Sequence, residues 1–503
     1  MTPPTRQPAP ARGELVERLA SLDQARRTRL IEELLARRHG AAEVGIPRLA
    51  PSGPTAPLSL AQESLWILHQ LAPRSPAYNA PHAYRLSGPL DVAALQDALR
   101  GVVARHEVLR TTYPAGRDGP VQAIHPPGEV ALPVVEVPPA RWEATVRSLI
   151  LEQYERPFDL ARGPLLRPRL FRIGEDEHVL LLLVHHIVMD AWSTVVLWRD
   201  LSALYAASRG RCDAVLPDLP IQFADFAVWQ REQLTGARLE RLLGYWRRQL
   251  DGIQPVLLET DRPRRLAPAF RGAQHELSLT DEVTTALRAV ARDSGATLPM
   301  AFLAAFQLLL WRCTERDDIA IGSVVSDRTR PELHDLVGYF VNTVVLRTDL
   351  SGAGNFREVL ARGRETALAA YAHQDLPFAR LVQALHPYRN AGRNPLFHVF
   401  FAVHSDQGME LEGGVGLEGV EVRRFMVPLG TAQFDLSLEV YQIRDRLHCV
   451  LEYDTDLFEP ATVALLARRL EALLREVTAR PDGPVERLSP CLVGPRRHGD
   501  ERS

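Results

Sequence analysis

Apolar and polar residues follow two different periods along this chain. The run Val179 to Val184 is continuously apolar and reads as a strand buried on both faces. Shorter strand-like runs lie at Ala83 to Leu86, Val121 to Ile124 and 165–172. Spacing of three and four residues predicts helices over Ala61 to Leu71, Val92 to Arg105, 142–156 and about Thr194 to Ser208, the last with Ser193 as its N-cap. Gly210 to Pro220 is a turn-rich gap. Aromatic helices around Phe223, Phe226, Trp229, Tyr245 and Trp246 open a second half. Helices 281–295 and 299–313, strand 319–325, loop 326–331, a short helix and strand 340–348 follow, and helix 460–479 closes the periodic region.

The two ends differ from this body. Residues 1–12 are Pro-rich, and 13–38 carry Leu15, Leu19, Leu22, Leu30, Leu34 and Leu35 among Arg and Glu. Ile46 to Pro57 reads as a linker. The expected organisation is a disordered start, amphipathic helix and linker over 1–57. A first lobe covers 58–220, a second lobe 221–485, and a tail 486–503. Intermingled helices and strands place the fold in the α/β (α+β) class, as two lobes with a site between them.

Length and charge narrow the function classes. A chain of 503 residues exceeds one ordinary core. A net charge of −3 leaves no basic footprint for nucleic acid. All 59 cations are arginine. No run of about 18 apolar residues occurs, so no membrane partner is expected. The N-terminus has no apolar signal core. Cys212, Cys313, Cys449 and Cys491 are few and not at metal spacing, which fits a reduced cytoplasmic protein.

The candidate chemistry sits at the end of the buried run, in His185-His186-Ile187-Val188-Met189-Asp190-Ala191-Trp192-Ser193. Successive strand side chains face opposite ways, so the two histidines do different jobs. An imidazole near neutral pKa accepts a proton from an attacking amine or hydroxyl. Asp190 either orients a histidine or pairs with an arginine. Packing and zinc ligation are the alternatives; for zinc, neither His-Glu-x-x-His nor Cys-x-x-Cys is present. Neither a Gly-x-Ser-x-Gly elbow nor a phosphate-loop motif occurs.

Further blocks occur in order. They begin with Leu58-Ser59-Leu60-Ala61-Gln62-Glu63-Ser64-Leu65-Trp66 and Arg105-His106-Glu107-Val108-Leu109-Arg110-Thr111-Thr112-Tyr113. After the histidine block come Phe223-Ala224-Asp225-Phe226-Ala227-Val228-Trp229-Gln230, Ile321-Gly322, Asp327-Arg328-Thr329-Arg330-Pro331-Glu332 and Gly338-Tyr339-Phe340-Val341-Asn342-Thr343. His373-Gln374-Asp375-Leu376-Pro377-Phe378 and Arg393-Asn394-Pro395-Leu396-Phe397 are last. With these, residues 58–485 resemble the condensation domain of nonribosomal peptide synthetases.

The resemblance implies two lobes similar to chloramphenicol acetyltransferase, arranged as a V-shaped pseudo-dimer around a central tunnel. It implies amide formation between a donor acyl or peptidyl thioester and an acceptor aminoacyl thioester. Both would ride on the 4'-phosphopantetheine of donor and acceptor peptidyl carrier proteins, with no cofactor or metal bound by this chain itself. Adenylation-domain modules are further implied partners. Carried over by position, His186 is the chemical residue and His185 its support. Asp190 is an ion-pair partner, with Arg328 as the other half, and Trp192 and Ser193 shape the loop and helix start. Tyr339 and Asn342 belong to the tunnel floor or lobe crossover.

The subtype is narrowed in the same way. Ser75-Pro76-Ala77-Tyr78-Asn79 and the opening block resemble L-donor domains. The paired aspartates of heterocyclisation domains and the Glu-Gly-His-Gly-Arg of epimerisation domains are absent. The chain departs from the family pattern at Ala191, where glycine is usual, and at Val324 and Asp327. A methyl at 191 adds bulk beside His186 where glycine would leave room in the tunnel, but alanine is the mildest such change, and activity is expected to survive. No adenylation domain or carrier Gly-Gly-x-Ser site is seen. Helix 13–38 would dock carriers in a free-standing protein, or connect domains in a larger synthetase. Two other functions stay open: an acyltransferase acting on a soluble amine or alcohol, and a non-catalytic carrier-docking scaffold.

Overall fold

The computed structural model describes residues 45–48, 55–117, 119–210, 213–265, 270–385, 394–404, 416–443 and 446–488. The expected helix 13–38 lies outside them.

Of three sheets among the described residues, the two larger ones organise the chain. The first has five strands in the order Glu421–Arg424, Asn79–Ser87, Glu177–His185, Leu166–Arg172 and Val134–Glu136. All its pairings are antiparallel except the last. Glu177–His185 is central, and Leu180 to Val184 are at most 1% exposed, as an apolar run flanked on both sides requires. The second sheet has six strands in the order Val341–Asp349, Asp318–Ser326, Val399–His404, Leu436–Ile443, Arg446–Asp454 and Gly272–Ser278. Val399–His404 runs parallel to both of its neighbours.

Helices cover each sheet. Leu298–Thr314 is apolar on nearly every side, and a helix of that composition must sit in a core; ten of its residues between Met300 and Leu310 lie in the second core, with Gln307 buried among them. Among the described residues no single helix is long and apolar enough to cross a membrane. Val92–Arg105 and Ala191–Ser208 supply Leu95, Leu99, Leu197 and Trp198 to the first core.

The halves exchange segments. Glu421–Arg424 joins the first sheet beside Asn79–Ser87. Leu333, Leu336, Val337 and Phe340 also pack into the first core, together with Phe223, Phe226 and Ala227 from just beyond the turn-rich gap. Leu60 packs into the second core. Two glycines record close approaches between sequence blocks. A Cβ on Gly338 would meet the Phe223 ring at 2.1 Å, and one on Gly322 would meet the Phe397 ring at the same distance. These blocks are therefore packing partners across the fold.

Two local expectations are corrected. The N-cap of Ala191–Ser208 is Asp190, not Ser193: the Asp190 carboxylate accepts the Ser193 N–H, which puts Ser193 one turn inside the helix. Cys313 is disulfide-bonded, against the expectation of reduced cysteines, while Cys449 is free and buried. Sequence spacing carries no information on which Cβ atoms come within bonding reach.

Candidate active site

The strand Glu177–His185 ends in a single 3-10 turn, His186–Val188, and the chain then enters the helix at Ala191. This turn separates the two imidazoles.

His185 points into the first lobe. Its ring lies edge-on to His69 at 5.7 Å and to Phe158 at 5.9 Å, with Tyr78 at 6.4 Å. Its Nδ1 accepts the Ile187 N–H at 3.1 Å, which leaves the ring proton on Nε2. Burial, then the neighbouring His186 and His69, push its pKa down to about 3. His185 is thus a neutral packing group.

His186 points to the lobe junction. Its backbone N–H donates to the Tyr78 carbonyl at 2.9 Å. Its Nδ1 lies 3.1 Å from the Met189 carbonyl, which can only accept, so Nδ1 carries the proton and Nε2 holds the free lone pair. The ring is half-buried and 6.3 Å from that of Tyr339. Desolvation lowers its pKa from the ordinary imidazole value, against opposing contributions from the Met189 carbonyl and Asp190. A neutral imidazole with a fixed tautomer and one open nitrogen is the arrangement a proton acceptor needs.

Asp190 does not reach the imidazole with a hydrogen bond. One oxygen accepts from Ser193 N–H at 2.8 Å and Ser193 Oγ at 2.6 Å, and the other accepts from Phe340 N–H at 3.0 Å. Arg328 Nη2 donates to the two oxygens at 3.1 and 3.4 Å and to Ser193 Oγ at 2.9 Å. Arg328 Nη1 donates to the carbonyls of Leu333 and Leu336, and the guanidinium lies 4.1 Å from the Phe340 ring centroid. The side chains of Asp190 and Arg328 are 2% and 4% exposed. The pair ties the histidine loop to the crossover segment 328–340. Desolvation lowers the Arg328 pKa, opposed by Asp190.

The remaining candidates fall around this node. Ala191 is the first helical residue, exposed and outside the left-handed region, so an L side chain there meets no backbone strain. Trp192 is 40% exposed, and its Nε1 donates to the His334 carbonyl at 3.0 Å. Tyr339 faces His186, and desolvation raises its phenol pKa. Asn342 is a latch away from the imidazole. Its Nδ2 donates to the carbonyls of Gln374 and Leu376, and its Oδ1 accepts from Thr343 and Phe378 N–H.

Sequence reasoning missed His82 and the role of the Tyr78 carbonyl. His82 sits opposite Leu182 in the sheet. Burial, then Arg424 and His186, push its pKa down to about 3. Strand alternation from Asn79 onward was the available signal. Asp327 was noted only as a departure. Burial and nearby Asp375 push its carboxyl well above the usual range, with a hydrogen bond from Gln230 at 3.2 Å opposing this.

A histidine loop at the junction of two sheet-based lobes that exchange segments defines a two-lobed α/β protein with a candidate proton-accepting site. The match of the family model "Condensation domain" to residues 54–491 makes the assignment specific: the chain belongs to the condensation domain family. It is 43% identical over 441 residues to a linear gramicidin synthase polypeptide of Brevibacillus parabrevis, covering 86% of this chain but only 6% of that synthase. Among solved structures it is similar to the X-domain from teicoplanin biosynthesis, with a TM-score of 0.79 and 32% identity over 88% of this chain and 99% of that one. The SgcC5 protein from Streptomyces globisporus, solved with (R)-(-)-1-(2-naphthyl)-1,2-ethanediol and sucrose, has a TM-score of 0.72 and 30% identity, covering 85% of this chain and 100% of that one.

Proposed function

We propose that the chain forms an amide bond between a donor acyl or peptidyl thioester and the amine of an acceptor aminoacyl thioester. The donor and acceptor peptidyl carrier proteins would present the two substrates on 4'-phosphopantetheine arms, loaded by adenylation-domain modules. The observation that carries this reading is the free Nε2 of His186 at the lobe junction, in a signature whose other polar groups are engaged in holding the loop.

The acceptor nitrogen attacks the donor carbonyl, the new C–N bond forms and the C–S bond breaks. The proton lost by nitrogen ends on the departing sulfur. His186 Nε2 accepts the N–H hydrogen bond and orients the amine lone pair at the carbonyl. His185 packs the strand end, and Asp190 with Arg328 fixes the loop without touching substrate. A V-shaped arrangement with a central tunnel would let the two arms meet at His186 from opposite faces.

The test mixes the protein with loaded donor and acceptor carriers and reads the acceptor carrier by intact mass. Dipeptidyl carrier should appear, and His186→Ala should abolish it while the circular dichroism spectrum is unchanged. Undiminished product from that variant would refute the assignment.

A second reading changes the acceptor. The likeness to SgcC5, solved with a soluble diol, supports a free amine or alcohol in place of the acceptor carrier. Replacing the acceptor carrier with free aminoacyl amide or alcohol separates the two readings. If carriers bind but no panel member turns over, the chain is a docking scaffold.

A further inference from the structure

A cavity of about 670 Å³ lies in the first lobe away from the histidine signature. It wraps the outer edge of the strand Leu166–Arg172. The neighbouring strand Val134–Glu136 pairs only with Leu170 to Arg172, so among the described residues 166–169 have no strand on that side. Leu109, Leu165, Leu181 and Leu183 give the cavity apolar walls. Neither His185, His186 nor Asp190 lines it.

Its charge is one-sided. Five arginines line it (Arg110, Arg156, Arg162, Arg167 and Arg169) against one carboxylate, Glu129. Three of the five have carboxylate partners: Arg110 with Glu107, Arg156 with Glu152 and Arg162 with Asp159. Among the described residues Arg167 has none; it donates to the carbonyls of Arg156 and Pro157 and lies 4.0 Å over the Phe158 ring. Arg169 is half-buried, and among the described residues its side chain makes neither an ion pair nor a hydrogen bond.

Arginines on an open sheet edge block pairing with other chains. That role needs no apolar chamber behind them. A chamber of this volume is the size of small-molecule sites. Guanidinium groups bind carboxylate and phosphate in a planar, two-pronged geometry. We propose that this cavity binds an amphipathic organic anion, with an aliphatic or aromatic body against the leucines and a carboxylate or phosphate head on Arg169 and Arg167. The Arg167 guanidinium stacks on Phe158, whose ring meets His185, so the site lies one side chain from the signature without sharing a residue with it.

Isothermal titration of the whole chain with octanoate, octyl phosphate and octanol tests this. Octanoate or octyl phosphate should bind saturably at one per chain, and the tighter of the two identifies the head group. Octanol should bind at least tenfold more weakly. Arg169→Gln should weaken the anions about tenfold, leave octanol unchanged and leave dipeptidyl-carrier formation at the wild-type rate. Equal affinity for octanol, no saturable binding of either anion, or unchanged anion affinity in Arg169→Gln would each overturn the proposal.

Discussion

Replacing Asp190 with alanine separates bracing from chemistry. The substitution removes the partner of a guanidinium that is 4% exposed. It also leaves the Phe340 N–H without its acceptor and strips the cap from Ala191–Ser208. Breaking one side of a buried ion pair costs about 3–5 kcal/mol, and a lost N-cap about 1 kcal/mol. Arg328 keeps the Leu333 and Leu336 carbonyls and Ser193 Oγ. Those contacts offset part of the sum of about 4–6 kcal/mol and leave a net cost of about 3–5 kcal/mol. At roughly 2–4 °C per kcal/mol for a lobe of this size, the melting midpoint should fall by about 6–20 °C. Asp190→Asn keeps an oxygen for the cap and loses only the charge, so its loss should be smaller. Tryptophan fluorescence during heating gives the midpoint, and intact-mass analysis of the acceptor carrier, well below that midpoint, gives the rate. The expected result is a large fall in stability with a fall in the per-folded-molecule rate of no more than about tenfold, well short of the loss on removing the His186 imidazole. A midpoint within about 2 °C of wild type, or a stable Asp190→Asn protein slowed a hundredfold, would refute the bracing role.

Four other outcomes follow from the same geometry. His186→Ala should lower the rate by about 10²–10⁴, the usual worth of a positioned proton acceptor, with little change in melting midpoint. Because desolvation lowers the His186 pKa, the imidazole stays neutral to lower pH than an ordinary histidine, so the His186-dependent part of the single-turnover rate should be lost only below the ordinary imidazole range; its loss within or above that range would contradict this. The His185 pKa is pushed down to about 3, so its contribution to stability is whole above the unfolded value near 6.5 and is lost as pH falls below it. By about pH 5 this amounts to about 2 kcal/mol, and urea midpoints of His185→Gln should lose that part of the slope. Ala191→Gly should change the rate less than twofold, since position 191 has no left-handed backbone to relieve.

How much could be read from sequence depended on whether the determining interaction was local. The central strand, its flanking strands and most helices were legible because apolar period reports burial directly. Asp190 as N-cap was within reach on the same terms, since a carboxylate three residues before an orphan N–H is a local signal. Ser193 fits the cap position only if the helix begins at about Thr194, whereas it begins at Ala191. The separation of His185 from His186 was legible in principle from strand alternation, but its cause was not. The cause is the 3-10 turn, which sets one Nδ1 under the Ile187 N–H and the other on the Met189 carbonyl.

The joining of Asp190 to Arg328, 138 residues apart, had no local sign at all. It was nominated by resemblance, whereas the packing of Gly338 on Phe223 is visible only in the structure. Both contacts lie on the segment that crosses from the second half into the first core. The sequence blocks outside the histidine signature therefore encode the geometry that puts Tyr339 against His186, more than they encode reacting groups. A variant in the crossover should then lower the rate in proportion to how far it frees the histidine loop, even where it touches neither substrate. Gly338→Ala is the sharpest case. Its methyl would have to displace the Phe223 ring, and the Ser193 hydroxyl that accepts the Gly338 N–H is the same one that braces Asp190.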